Sequence, residues 1–305
     1  MAGAMRERFA QVACELLDED PRTMVLLADL SVAMFDAGHR RHPHRVINFG
    51  IREQLLIDAA GGAALAGARP IVHSFAPFLI ERPFEQIKIS LSHQGAGAVL
   101  VSAGASYDIA SGGRTHQAPA DVALISTLEG WTVRVPGHPD EVDGALRAAV
   151  RGESHQYVRL SVESNSSSLI TDGRPMRLLK AGKRGTVIAI GPMADRTLAA
   201  TEGWDVSVVY TDRAFPWPER FLRSVISAAS PVVAVVEPYL EGTSLRELHR
   251  VTRGAPLSIE MIGVAPQELR NYGTSYQHAV AHGLDVAGIK RRLESHLGQA
   301  ASSWF

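Results

Sequence analysis

The stretch Arg45-Val46-Ile47-Asn48-Phe49-Gly50-Ile51-Arg52-Glu53-Gln54 decides how the rest of the chain is read. It opens as a short apolar strand and is broken by Gly50. It resumes with Arg52 and Glu53 ahead of a long apolar run, Leu55, Leu56, Ile57, Ala59, Ala60, Ala63, Ala64 and Leu65. This predicts a strand, a turn and a buried helix with a charged pair at its mouth. Two accounts of Glu53 stand side by side. A carboxylate in a first helical turn is favoured by the helix dipole and the free N–H groups there. The other account makes Glu53 the proton relay of a cofactor site.

Upstream, Phe9, Val12, Ala13, Leu16 and Leu17 recur at helical spacing within 5–18, and Pro21 ends that helix. Met24-Val25-Leu26-Leu27-Ala28 is a continuous apolar run, as expected of a strand covered on both faces, with Asp29 at its end. Residues 30–44 read as a loop rich in His and Arg, either a solvated turn or a contact for a charged ligand. Downstream, strands at 68–73, 98–104, 131–135 and 156–161 alternate with helices at 78–93, 118–128 and 139–151. Gly61-Gly62 inside the apolar helix costs about 1 kcal/mol per glycine against alanine, which close packing or a partner chain would justify. Alternating strands and helices argue for a doubly wound α/β domain with a mainly parallel sheet. Ligands in such sheets sit beyond the C-terminal strand ends. Asp29, Phe75, the loop after Gly104 and Pro136 all fall there, and Glu53 follows such an end.

The segment 166–184, rich in Ser, Gly, Lys and Arg, reads as a linker between a first domain, 1–165, and a second α/β domain, 185–305. The second has strands at 186–190, 205–210, 231–236 and 257–262, with helices between them and two more at 275–282 and 286–297. The 305 residues are 46% hydrophobic and 21% charged with net charge −1, so nothing marks nucleic acid or an anionic membrane as a partner. The single cysteine, Cys14, permits no intrachain disulfide and fits a reducing compartment. No signal peptide is read at residues 1–8 and no apolar run approaches the ~18 residues of a membrane span, so the expected location is the cytoplasm. No metal-ligand spacing, nucleophile elbow or Walker-type loop occurs, and no metal site is expected in this chain.

The order of the pieces says more than any one of them. Asp29-Leu30, Gly50-Ile51-Arg52-Glu53-Gln54, Ser74-Phe75-Ala76-Pro77-Phe78, Phe84-Glu85-Gln86-Ile87, Gly113-Arg114-Thr115-His116-Gln117, Asp121, Val135-Pro136 and Asp140-Glu141 follow one another along the first domain. This resembles the pyrimidine-binding domain of the transketolase family of thiamine diphosphate enzymes. Val233–Glu237, Glu241-Gly242, Ile262-Gly263-Val264 and Asn271-Tyr272-Gly273 resemble that family's C-terminal domain. The Gly-Asp-Gly segment with which the family holds Mg²⁺ and the diphosphate is absent. The resemblance therefore implies the second subunit of a split transketolase, with an N-terminal diphosphate-binding subunit as partner, an α₂β₂ assembly and Mg²⁺ held mainly by that partner.

The resemblance also implies residue roles. Glu53 would bond the aminopyrimidine ring nitrogen and favour the imino tautomer, whose nitrogen takes the proton from the thiazolium carbon. The activated cofactor then moves a two-carbon ketol unit from a ketose to an aldehyde. A buried, low-dielectric setting suits such a carboxyl group. Asp29, Phe75 and Phe78 fall on the cofactor side, the phenylalanines packing on the pyrimidine unless they are core residues. His116 would face the sugar or its phosphate, or else be a loop histidine satisfied by the backbone. Arg159 would grip a substrate phosphate, or else be a salt-bridged strand-end arginine. Two positions depart from the family pattern: Gly104 where a histidine is usual, and Gly112 where an aspartate reads a substrate hydroxyl. Losing two polar contacts alters specificity, so the expected substrate is a modified sugar or 2-keto compound. The alternatives are a deoxyxylulose-phosphate synthase, a 2-oxo acid dehydrogenase beta-like subunit, and a non-catalytic or regulatory subunit.

Overall fold

The computed structural model describes residues 4–170 and 173–302, with side chains to 297. Residues 1–3, part of the stretch read for a signal peptide, and 171–172 of the linker lie outside the described residues. Among the described residues no helix is long and apolar enough to cross a membrane.

The strands in chain order are β1 Thr23–Leu27, β2 Val46–Asn48, β3 Arg69–Phe75, β4 Val99–Ala103, β5 Trp131–Arg134, β6 His155–Arg159, β7 Met176–Lys180, β8 Thr186–Ile190, β9 Ser207–Thr211, β10 Arg213–Phe215, β11 Val232–Leu240 and β12 Ser258–Val264. They form a seven-stranded sheet in the order β10-β5-β6-β4-β3-β1-β2 and a five-stranded sheet in the order β12-β11-β8-β9-β7. All pairings are parallel except β10 with β5 and β7 with β9. The protein is thus built of two α/β units, as its alternating pattern implies.

Both faces of the first sheet are covered, which is why β1 and β4 are almost wholly apolar. Leu26, Val72 and Leu100 point to the face packed by the helix Glu53–Leu65 and the segment 77–93. Val25, Leu27, Ile71, Val99 and Val101 point to the face packed by the helices Ala4–Glu19 and Pro139–Arg151. In the second sheet Val187, Val208, Ala234 and Ile262 pack on Ile289, Leu293 and Leu297 of the last helix. Gly61 lets the helix Glu53–Leu65 pack closely, since a Cβ there would lie 2.5 Å from the Ser90 carbonyl oxygen.

Four local expectations are corrected. The loop expected at 30–44 contains a short 3₁₀ turn, Val32–Phe35, and a helix, Asp36–Arg41. Its basic residues serve that helix: Arg41 and His42 both bond Asp18. The helix expected at 78–93 is broken, because Pro83 has no N–H to continue it. It opens in a wide turn, Pro77–Glu81, in which the Arg82 N–H reaches back five residues to the Pro77 carbonyl at 3.0 Å. Strand β7 lies inside the segment read as a linker. It is a short edge strand, with Arg177 and Leu178 exposed. Finally, β10 lies beyond the linker in sequence yet closes the edge of the first sheet against β5. The chain therefore crosses back once between the two units.

Candidate active site at the strand ends

In the first sheet β2 and β3 lie on opposite sides of β1, so the crevice of this doubly wound arrangement opens at the C-terminal ends of β1 and β3. Three residues lie at these strand ends. Asp29 follows β1, Asn48 ends β2 and Phe75 ends β3. The Asn48 side chain ties the first two ends together. Its Oδ1 accepts from the Asp29 and Gly50 N–H groups at 2.9 and 3.0 Å, and its Nδ2 donates to Asp29 Oδ1 at 3.0 Å. Asp29 and Gly50 both take positive φ, 62° and 69°. That sharp turn brings the helix to its first residue, Glu53, immediately beyond β2.

Glu53 is 2% exposed. Arg82 donates from Nη1 to its Oε1 at 2.8 Å, and the Arg82 guanidinium carbon stands 4.1 Å from the centre of the Phe78 ring. Phe78 lies 6.2 Å from Phe75 and 5.0 Å from His116, and Phe75 lies 6.0 Å from His116, every pair tilted edge to face. Glu53, Arg82, Phe78, Phe75 and His116 therefore form one connected group from three segments distant in sequence. Arg82 was not singled out in the sequence. Its signal was position: it follows Phe78 by four residues, the spacing of neighbours on a helix face.

His116 rides on a loop of two short 3₁₀ turns, Ala110–Gly112 and Arg114–His116. Gly112 explains itself here. A Cβ at that position would stand 2.8 Å from His116 Cγ, so the imidazole occupies the space that a side chain at 112 would take. At Gly104 φ is +72°, and a Cβ would fall 2.7 Å from Ile109 Cδ1 and 3.2 Å from Phe75 Cδ1. The space beside Phe75 is thus apolar.

Arg159 is engaged elsewhere. It is 1% exposed and pairs through Nε with Asp121 Oδ2 at 2.7 Å, while Nη2 donates to Ser106 Oγ at 2.7 Å. The same carboxylate accepts from Tyr157 at 2.7 Å, and the guanidinium lies 5.7 Å from the Tyr239 ring centre. Among the described contacts, Arg159 serves as a buried strand-end ion pair joining the first sheet to β11. Arg159 also lines a small cavity of about 40 Å³ between the two units, with Tyr107, Asp108, His278 and His282. Among the described residues no group of three or more His, Cys, Asp or Glu side chains is placed to hold a metal ion.

Comparison with known proteins agrees with this architecture. Residues 2–165 match the family described as transketolase, pyrimidine binding domain. Over 292 residues the chain is 41% identical to an uncharacterized 33.6 kDa protein in the fasciation locus of Rhodococcoides fascians, covering 95% of this chain and 94% of that protein. It is 26% identical over 304 residues to an apulose-4-phosphate transketolase subunit of Actinobacillus succinogenes, covering 95% and 96% of the two chains. It is 27% identical over 322 residues to 1-deoxy-D-xylulose-5-phosphate synthase of Anaeromyxobacter sp., where it accounts for 98% of this chain but spans only 50% of that longer protein. A solved structure titled "Split gene transketolase, inactive beta4 tetramer" superposes with a TM-score of 0.83 at 25% identity, over 96% of this chain and 98% of that one. The chain belongs to the transketolase family, as a C-terminal subunit of the split type that carries the pyrimidine-binding domain.

Proposed function

We propose that this chain is the second subunit of a split thiamine diphosphate-dependent transferase. It would move a two-carbon ketol unit from a ketose to an aldehyde once a partner supplies the diphosphate-binding half and most of the Mg²⁺ ligation. The observation that carries the reading is the connected group Glu53–Arg82–Phe78–His116–Phe75 at the crevice between β1 and β3.

The residues fit the pyrimidine end of the cofactor by their chemistry. A planar heteroaromatic ring with a basic nitrogen calls for aromatic walls and one acid within the same crevice. Phe75 and Phe78 supply the walls, and Glu53 is a buried carboxyl group held by a single arginine. When bound, thiamine diphosphate supplies the nucleophilic carbon that accepts the two-carbon unit and passes it on. Glu53 holds and returns a proton at its carboxyl oxygen. Arg82 fixes the orientation of that carboxyl group by occupying Oε1. Asp29, through Asn48, holds the turn from which the Glu53 helix starts. His116, braced on Gly112 and set edge-on to both phenylalanines, faces the sugar. Glycine at 104 and 112 leaves the wall beside Phe75 to Ile109 rather than to polar side chains, which supports a substrate other than the common pentose phosphates.

A relative that is itself one transketolase subunit, matched over 96% of its length, supports the split arrangement. The structural neighbour titled as an inactive tetramer supports dependence on a partner. An α₂β₂ assembly satisfies both. A second reading, a deoxyxylulose-phosphate synthase-like condensation, draws on the 27% identity to that enzyme. The test is to assemble the chain with its partner, thiamine diphosphate and Mg²⁺ and compare wild type with Glu53→Gln. Loss of a proton relay lowers turnover by about 100-fold or more. Equal rates would reject the role of Glu53, and condensation of pyruvate with an aldehyde, without ketol transfer, would select the second reading.

A further inference from the structure

The loop that carries His116 belongs to the first domain, yet the second domain holds it along its length. Near its start, Ser106 Oγ donates to the Pro238 carbonyl at 2.6 Å, and the Tyr107 ring stacks on His278 with centroids 4.1 Å apart and planes 9° apart. At its middle the Tyr272 ring rests on Gly113, where a Cβ would come within 2.7 Å of Tyr272 Cε1. Arg114 Nε pairs with Glu268 Oε2 at 2.7 Å. Just beyond His116, Gln117 Nε2 approaches the Asn271 carbonyl at 3.4 Å, and the Leu240 N–H donates to the Pro119 carbonyl at 2.7 Å.

Tyr272 is itself anchored. Its carbonyl accepts from His278 Nε2 at 3.0 Å, and the helix that follows is capped by Thr274 and Gln277. The His116 ring presses on Gly112 and the Tyr272 ring presses on Gly113. Two aromatic groups from different domains thus bear on adjacent glycines of one loop. Gly113 has φ +73°, a conformation that other residues rarely adopt, and the absence of a Cβ there is what lets the Tyr272 ring lie directly on the backbone beside His116's own seat.

We propose that Tyr272 is a positioning residue for His116: the second domain sets where the imidazole stands in the crevice by seating the Tyr272 ring on Gly113. This rests on the reading of His116 as a substrate-facing residue. The contact is made by ring carbons, and Tyr272 is 67% exposed, so phenylalanine keeps the clamp and alanine removes it without opening the core. Glu268 contributes through an exposed ion pair of small individual worth.

The experiment uses the full chain in three forms, wild type, Tyr272→Ala and Tyr272→Phe. Amide hydrogen exchange is followed over residues 110–117, together with the ¹⁵N-histidine side-chain signal of His116, assigned by its loss in His116→Gln. The same variants are then assembled with the partner and assayed with hydroxypyruvate as two-carbon donor. The expected result for Tyr272→Ala is at least tenfold faster exchange across the loop and a shifted His116 signal. The hydroxypyruvate KM rises at least fivefold, with affinity for thiamine diphosphate within twofold of wild type. Tyr272→Phe matches wild type in every readout. Unchanged exchange and an unmoved His116 signal in Tyr272→Ala overturn the proposal. So does a loosened loop with unchanged KM, which would make the contact merely structural. If wild type itself shows no ketol transfer, the functional reading fails, and the exchange and His116 signals still decide whether Tyr272 positions that ring.

Discussion

Arg82 donates to the buried Glu53 carboxylate across 2.8 Å while its guanidinium lies over the Phe78 ring. One side chain thus ties the acid of the crevice to its aromatic wall. Removing it strands a carboxylate that is 2% exposed. Because Arg82 itself is 40% exposed, the loss is smaller than for a fully buried pair. Arg82→Met is expected to cost about 1–3 kcal/mol in urea unfolding. It should also weaken thiamine diphosphate binding by the assembled enzyme about tenfold. Wild-type affinity in this variant would show that Glu53 needs no such orientation.

The Arg159–Asp121 pair is more severe, with side chains 1% and 0% exposed. Asp121→Asn leaves a guanidinium buried without its counter-charge and should destabilise the chain by about 3–5 kcal/mol. The double variant Asp121→Leu/Arg159→Met removes both charges and should recover at least half of that loss. Equal destabilisation by the single and double variants would mean that the hydrogen bonds to Tyr157 and Ser106, not the buried charge, dominate.

Gly112→Ala tests the seat of His116. Its Cβ would meet the imidazole at 2.8 Å, so the ring has to move. The donor KM should rise several-fold while cofactor affinity stays level, since the phenylalanines and Glu53 are untouched. A change in cofactor affinity with unchanged KM would place His116 on the cofactor rather than the substrate.

Glu237, at the C-terminal side of β11, gives a pH prediction. Burial pushes its carboxyl group up to about 8, against the N–H donors of Gly242 at 2.6 Å and Ser244 at 3.0 Å, which favour the ionised form. The folded chain therefore holds a proton that the unfolded chain, with an ordinary carboxyl near 4.5, releases. Stability from this group is present below pH 4.5 and is lost as pH rises toward 8. The slope is at most about 1.4 kcal/mol per pH unit. Glu237→Gln should lose stability less steeply across that window in urea titrations at pH 5, 6, 7 and 8. Parallel curves for the two proteins would contradict the assignment.

The fold was legible where physical chemistry is local. Apolar runs marked β1 and β4, and the period of the helix 4–19 is plain from Phe9, Val12 and Leu16. What escaped was what depends on partners far along the chain. Strand β7 exists because β9 offers an edge to pair with, and its five residues, Met-Arg-Leu-Leu-Lys, show no strict alternation to mark it. Strand β10 is three residues long and has meaning only beside β5. In the crevice, Phe75, Phe78 and His116 come together edge to face. Arg82 was missed because its spacing from Phe78 does not reveal that it reaches Glu53, 29 residues away in sequence. Arg159 could be read two ways from sequence. Only the distance to Asp121 shows how it is used in the fold.

The most direct measurement is calorimetric titration of thiamine diphosphate with Mg²⁺, first into this chain alone and then into the chain with its partner subunit. A split site requires tight binding only when both are present, and weakened binding when Glu53→Gln replaces the wild type. Tight binding to the isolated chain, or none to the assembled pair, would contradict the central claim that this crevice is one half of a thiamine diphosphate site.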